Sequence, residues 1–200
     1  MLRNIIRLLV IMGLCLGAAN FVQACVGRTL YIGALQSNHD KLMAEMVSLL
    51  INERTGTTVQ IRYFNNNASL YKAAASNKEE SRVDIMVEDT VDALRVLKKT
   101  PSGKPDDDYL TAKKIFDKKL NIIWLNPFGY QNIQTDGRHS ESAPLLRRDV
   151  LTNFPLLPRV LNKLSGAVSN RSYKSLMKKV EDGKKPRNVA RDFLKRKKLI

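Results

Sequence analysis

Residues 28–63, RTLYIGALQSNHDKLMAEMVSLLINERTGTTVQIRY, decide the fold. Arg28 to Gly33 alternates in character and ends in glycine, which predicts a strand. Asp40 to Thr55 follows, with Leu42, Met46, Leu49 and Leu50 spaced i, i+4, i+7, i+8. That spacing puts all four on one face of an amphipathic helix. Gly56 stands where a helix commonly ends in the left-handed conformation. Thr57 to Tyr63 is again alternating and rich in β-branched residues, a second strand. Strand, helix, strand at this spacing is one parallel crossover unit.

Working outward, the pattern repeats. Asn65 to Asn67 is a turn and helix-start cluster, and Ala68 to Ser76 reads as helix. Val83 to Val87 is a third strand, Val91 to Lys99 a helix, Thr100 to Asp108 a loop rich in Pro and Asp, and Ile122 to Leu125 a fourth strand. Gln131 to Thr152 is polar and predicts a connector with a short helix at its end. Three helical pieces close the chain: Leu156–Leu164, Asn170–Val180 and Pro186–Lys197, the last with proline at its first turn. The expected class is α/β. It is a single three-layer lobe with a mostly parallel sheet, crossover helices and the C-terminal helices packed back on it. Ligands of such sheets sit at the carboxyl ends of the strands. Here those are Gly33–His39, Phe64–Ser69, Glu88–Thr90 and Asn126–Asn132.

The N-terminus predicts export. Arg3 and Arg7 precede an apolar run from Leu8 to Ala19 that is shorter than the about 20 residues needed to span a bilayer. Val22-Gln23-Ala24-Cys25 follows as a processing site, so residues 1–24 read as a signal peptide and 25–200 as the mature lobe. Cys25 is a lipidation candidate, although Gln23 is unusual in a lipoprotein box. An uncleaved N-terminal anchor is the alternative. Cys15 leaves with the leader, so the mature chain can form no internal disulfide. The expected location is the periplasm or the outer face of the cytoplasmic membrane.

The charge is strongly basic, +15, falling to +13 without Arg3 and Arg7. From Arg171 to Ile200 there are 12 Lys and Arg against 3 Asp and Glu. Such a surface favours anionic membrane, lipopolysaccharide or acidic protein. Nucleic acid is not expected for an exported chain.

Several segments resemble a known family. They are Tyr31-Ile32-Gly33 with Ala44-Glu45-Met46 and Glu53 to Gly56, then Val83-Asp84-Ile85 through Glu88 and Thr90, and Trp124 to Asn132. The most specific combines Leu161 to Ser169, Val189 to Leu194 and the final Leu199-Ile200. Together these resemble the substrate-binding proteins of ABC-type importers for glycine betaine, choline and related osmoprotectants, which have the type II periplasmic-binding-protein fold. The resemblance implies a receptor for a small zwitterionic or cationic solute, working with an ABC permease, with no cofactor and no catalysis.

Two departures bear on function. That family inserts a whole second lobe after the hinge segment, whereas here 131–152 stands in its place, and one βαβ unit alone takes about 30 residues. The expectation is one lobe with an open face. The aromatic residues expected around a quaternary ammonium are also thinned, with Asp89 at one such position and Phe64, Tyr130 and Trp124 as the remaining candidates near strand ends. The candidate ligand-binding residues are Asn38, Asn66, Asn67, Asp89, Thr90, Tyr130 and Asn132. Plain helix capping accounts for Ser37-Asn38 and for the asparagine cluster equally well. His39 and His139, the only histidines, are too few for a zinc set. Glu88 and Asp89 are paired carboxylates without a nucleophile beside them in sequence, which argues against an enzyme. The leading reading is an exported solute-binding-like protein with weakened or lost ligand binding. The alternative is an envelope interaction module that docks a partner or anionic surface through the strand-end face and the basic tail, Lys195 to Lys198.

Overall fold

The computed structural model describes residues 28–133, 137 and 139–200. The expected leader, its expected cleavage site and Cys25 lie outside the described residues. The first crossover unit forms as the periodicity predicts. β1 (Leu30–Leu35) leads into α1 (Asn38–Thr55), and β2 (Val59–Phe64) returns in parallel register, Leu30 opposite Val59 and Leu35 opposite Phe64. Ser37 caps α1 by accepting from Asp40 N–H, and Gly56 ends it at φ 69°.

The next turn repeats the scheme. α2 (Asn67–Ala74) is capped by the Asn66 side chain, which accepts from Ser69 N–H. β3 (Ile85–Asp89) pairs in parallel with β1 and passes without a loop into α3 (Thr90–Val96). Gly33 in β1 is required by close approach, because a Cβ there would lie 2.4 Å from Leu70 Cδ1 and 2.8 Å from Val83 Cγ1.

Two expectations are corrected. Thr100–Asp108 does not run on as loop, because α4 (Pro105–Leu120) begins inside it. Pro105 at the first turn and Asp106 to Asp108 are helix-start features. Their Pro- and Asp-rich composition reads equally as a turn, and α4 buries only Asp108, Ala112 and Phe116, too sparse for a clear apolar stripe. The second correction is Gln131–Thr152. After β4 (Ile122–Trp124) it supplies β5 (Gln131–Ile133) and the nine-residue β6 (His139–Arg147), and the helix at its end is a 3-10 turn over Arg148–Thr152.

β6 changes the sheet. The strand order is β2-β1-β3-β6-β4, with β5 paired to β6. β6 runs antiparallel to β3, β4 and β5, so β4 is separated from its parallel neighbours. Pro144 interrupts the strand pattern in sequence. It sits opposite Val87, and its carbonyl accepts from Leu125 N–H at 3.0 Å.

Side chains alternate across the sheet and build two cores. Ile32, Ile85, Val87 and Leu146 face α1 and the three C-terminal helices α5 (Leu157–Leu161), α6 (Asn170–Glu181) and α7 (Pro186–Arg196). Met86, Ala143 and Leu145 face α2, α3 and α4. The result is a three-layer α/β lobe. α1 lies against α5, α6 and α7, with Leu42, Met46, Leu49 and Leu50 fully buried. Burial of side chains of this size stabilises by about 1.5–3 kcal/mol each. Among the described residues no helix is long and apolar enough to cross a membrane.

Candidate functional site

The carboxyl ends of β1 and β3 open onto a cavity of about 210 Å³. Leu35, Ser37, His39 and Asp40 line it from the first strand end and the start of α1. Asn67 and Leu70 come from α2, Val87, Glu88 and Asp89 from β3, Asp92 from α3 and Asn132 from β5. A larger cavity of about 350 Å³ lies at the amino ends of the same strands. Its polar groups are engaged in holding the fold: Asp84 accepts from Tyr31 N–H and pairs with Arg82.

Asp89 is the centre of the strand-end cavity. β3 passes straight into α3 there, so its side chain is fixed by two regular elements. Asn132 donates its amide to one carboxylate oxygen at 2.9 Å, and the Ser142 hydroxyl donates to the other. Burial raises its pKa, while His39 and the donors from Ser142 and Asn132 act in the opposite direction. Next to it, Glu88 is buried to the same extent. Tyr71 donates its hydroxyl to Glu88 at 2.8 Å, and Asp89 N–H reaches its other oxygen at 3.2 Å. Burial nevertheless pushes Glu88 up to about 8. At neutral pH its carboxyl therefore holds a proton for most of the time.

An aromatic stack lies behind Asp89. Tyr130 and Tyr173 are parallel, with centroids 4.1 Å apart, and Phe128 stacks on Tyr130 at 6.1 Å. His39 meets both tyrosines edge-on, and its Nδ1 is 2.8 Å from the Tyr173 hydroxyl. The C-terminal region positions this loop. Gly166 N–H donates to Pro127 carbonyl, Val168 N–H to Phe128 carbonyl, and Gln131 N–H to the Asn170 side chain.

The predicted site residues separate into four groups. Asn67, Asp89 and Asn132 come together at the cavity. Thr90 is wholly buried beneath it, where its hydroxyl meets Ser140 at 3.2 Å and accepts from Glu141 N–H. Asn38 and Asn66 are exposed; Asn38 is absent from the lining, and Asn66 serves as the α2 cap. Tyr130 is the clearest reassignment. It is fully buried and stacked between two rings, so its faces are not presented to the cavity. Trp124 is likewise buried, edge-on to Phe116 at 5.4 Å.

Sequence reading missed Tyr173, Ser142, Ser140 and Tyr71. The serines lie in the stretch expected as connector. Tyr173 sits on a basic helix 43 positions after Tyr130, and only the fold joins them. Among the described residues, no group of three or more His, Cys, Asp or Glu is placed to hold a metal.

The geometry has clear counterparts. The crystal structure of a glycine betaine/carnitine/choline ABC transporter superposes with a TM-score of 0.76 at 15% identity, covering 85% of this chain and 99% of that one. Apo YehZ from Escherichia coli gives 0.75 at 11% identity, covering 87% and 100%. The fold is that of a periplasmic solute-binding protein. The family described as the substrate binding domain of the ABC-type glycine betaine transport system matches residues 134–196. No curated protein matches the chain. The lobe thus resembles the substrate-binding domain of glycine betaine transport systems by sequence in its last third, and periplasmic solute-binding proteins by fold over 85–87% of its length. Those residues include β6, whose Ser142 donates to Asp89, and the α6 helix, whose Tyr173 bonds to His39, two residues that line the cavity. A solute-binding-protein fold is a binding architecture, not an enzyme class.

Proposed function

We propose that this chain is an exported, non-enzymatic solute-binding protein. It derives from a betaine-type importer receptor, is reduced to one lobe, and takes a small zwitterionic or cationic solute weakly at the strand-end cavity. The observation that carries this reading is Asp89. It is held by Asn132 and Ser142 at the carboxyl end of β3, where sheets of this kind place their ligands.

Reduction to one lobe rests on the β5–β6 hairpin. Residues 134–138 alone join Ile133 to His139, and a second α/β lobe needs far more chain than that. A ligand on an open face keeps part of its hydration and gains less than one enclosed on all sides. Dissociation constants should therefore be roughly millimolar. Residues 1–24 direct export, Cys25 begins the mature chain, and an ABC permease is the downstream partner. In the cell the chain then sits in the periplasm or on the outer face of the cytoplasmic membrane.

Isothermal titration of the mature chain with glycine betaine, choline, carnitine, proline and putrescine tests the reading. Saturable binding of at least one is expected, and silence from all five at millimolar concentration overturns it. Mass spectrometry of the mature protein tests the export assignment. A chain starting at Cys25 is expected, and retention of Met1 would contradict it.

A further inference from the structure

The chemistry of the cavity lining narrows the solute, on the reading that this cavity is the binding site. A quaternary ammonium carries no N–H and is held by aromatic faces. The rings nearest the cavity are already engaged with one another. Tyr130 lies between Phe128 and Tyr173, and His39 leans edge-on against Tyr130 and Tyr173. Among the described residues no Phe, Tyr or Trp lines the cavity.

Carboxylates take their place. Asp40, Asp89 and Asp92 face this space, with the largely protonated Glu88 beside Asp89 and Asp92 also paired with Arg95 at 2.8 Å, and among the described residues no Lys or Arg lines it. That lining stands out on a chain of net charge +15, whose cations lie mostly elsewhere. Asn67, Asn132 and Ser37 add neutral hydrogen-bonding groups at the same wall. Carboxylates and amide carbonyls reward a cation that donates hydrogen bonds, and such charge-assisted bonds are the stronger kind. A methylated ammonium has no N–H for them to accept, so it gains only the undirected attraction of the charge. The volume of about 210 Å³ corresponds to roughly seven water molecules at their liquid share, the size of a six- to eight-atom solute.

We infer that the strand-end cavity selects a small cation bearing N–H donors, a primary amine, diamine or guanidinium compound, over the quaternary ammonium solutes. Asp89 is buried, with Asp92 and Asp40 at less buried positions around it.

Isothermal titration of the mature chain at low salt with putrescine and with choline, two solutes of similar size, tests the inference. Putrescine is expected to bind about tenfold more tightly than choline, the ratio set by about one unmatched hydrogen bond. Asp92→Asn should weaken putrescine about fivefold, as loss of a partly exposed charge pair does, and choline, which has one charge and no ammonium N–H, by a smaller factor. Asp89→Asn should weaken putrescine more strongly. Circular dichroism melting checks that both variants fold, and Asp92→Asn keeps the test alive where Asp89→Asn does not. Choline binding as tightly as putrescine would overturn the selectivity and leave the solute site standing. Putrescine binding that neither variant alters would overturn the assignment to this cavity. Binding of neither, nor of the other solutes above, would remove the site and the selectivity together.

Discussion

Tyr130 and Tyr173 lie parallel with ring centroids 4.1 Å apart and planes 8° from coincidence, although 43 positions separate them in the chain. The contact joins the segment after β4 to α6, and so fixes the back of the cavity to the C-terminal helices. The Tyr173 hydroxyl extends the link to His39 at the start of α1.

Replacing Tyr173 should therefore cost stability and not only shape. Tyr173→Ala removes a stacked pair and the half-buried ring that makes it, a loss of about 2 kcal/mol. Tyr173→Phe keeps the stack and loses only the bond to His39, about 1 kcal/mol. Urea denaturation of the two variants checks the order. Equal losses would mean that the hydroxyl, not the stack, holds the loop.

Gly129 should be the least replaceable glycine of the C-terminal half. It adopts φ 102°, and a Cβ there would lie 2.7 Å from Gly166 Cα, so backbone would have to move. Gly129→Ala should cost about 3 kcal/mol, from strain and overpacking together. Gly183, at φ 87° with open space around it, is the control, and its alanine variant should lose only about 1 kcal/mol. Denaturant midpoints that rank the two in the opposite order would contradict the tie between 127–128 and 166–168.

Glu88 sets a pH dependence. Its carboxyl ionises near the ordinary 4.5 in the unfolded chain and at about 8 in the folded one. Between those values the folded state binds more protons, so stability falls as pH rises. Its contribution is complete below about 4.5 and is lost as pH rises through about 8. The slope from one full proton is about 1.4 kcal/mol per pH unit. Asp89, also raised by burial, acts in the same direction. Glu88→Gln mimics the protonated form, keeps an acceptor for Tyr71 and should flatten the profile. Melting temperatures measured from pH 4.5 to 8 test this. A wild-type stability that rises across the window, or a variant with the same slope, would refute the assignment.

Much of the lobe is legible in sequence because its first half obeys simple periods. Leu42, Met46, Leu49 and Leu50 predict α1, and Gly56 its end. The crossover to β2 then follows from the handedness and spacing of such units. The rest is illegible for identifiable reasons. β6 carries Ser140, Ser142 and Pro144, which read as connector, and it becomes a central strand only because β3 and β4 flank it. α4 is mostly solvated, so its start resembles a turn. The cavity splits along the same line. Asp89, Asn67 and Asn132 are visible as polar residues at strand ends. Ser142 and Tyr173 reach the site through tertiary pairing, and Tyr130, readable as a ligand aromatic, is withdrawn by a ring its sequence neighbourhood does not contain.

The central claim is that a small solute binds at the carboxyl ends of β1 and β3. Nitrogen-15 NMR of the side-chain amides of Asn132 and Asn67 during titration with putrescine measures this most directly, because both line the cavity. Both amides should shift along one saturating curve, while that of Asn188 on α7 stays in place. Shifts confined to the C-terminal helices, or none at saturating putrescine, would contradict it.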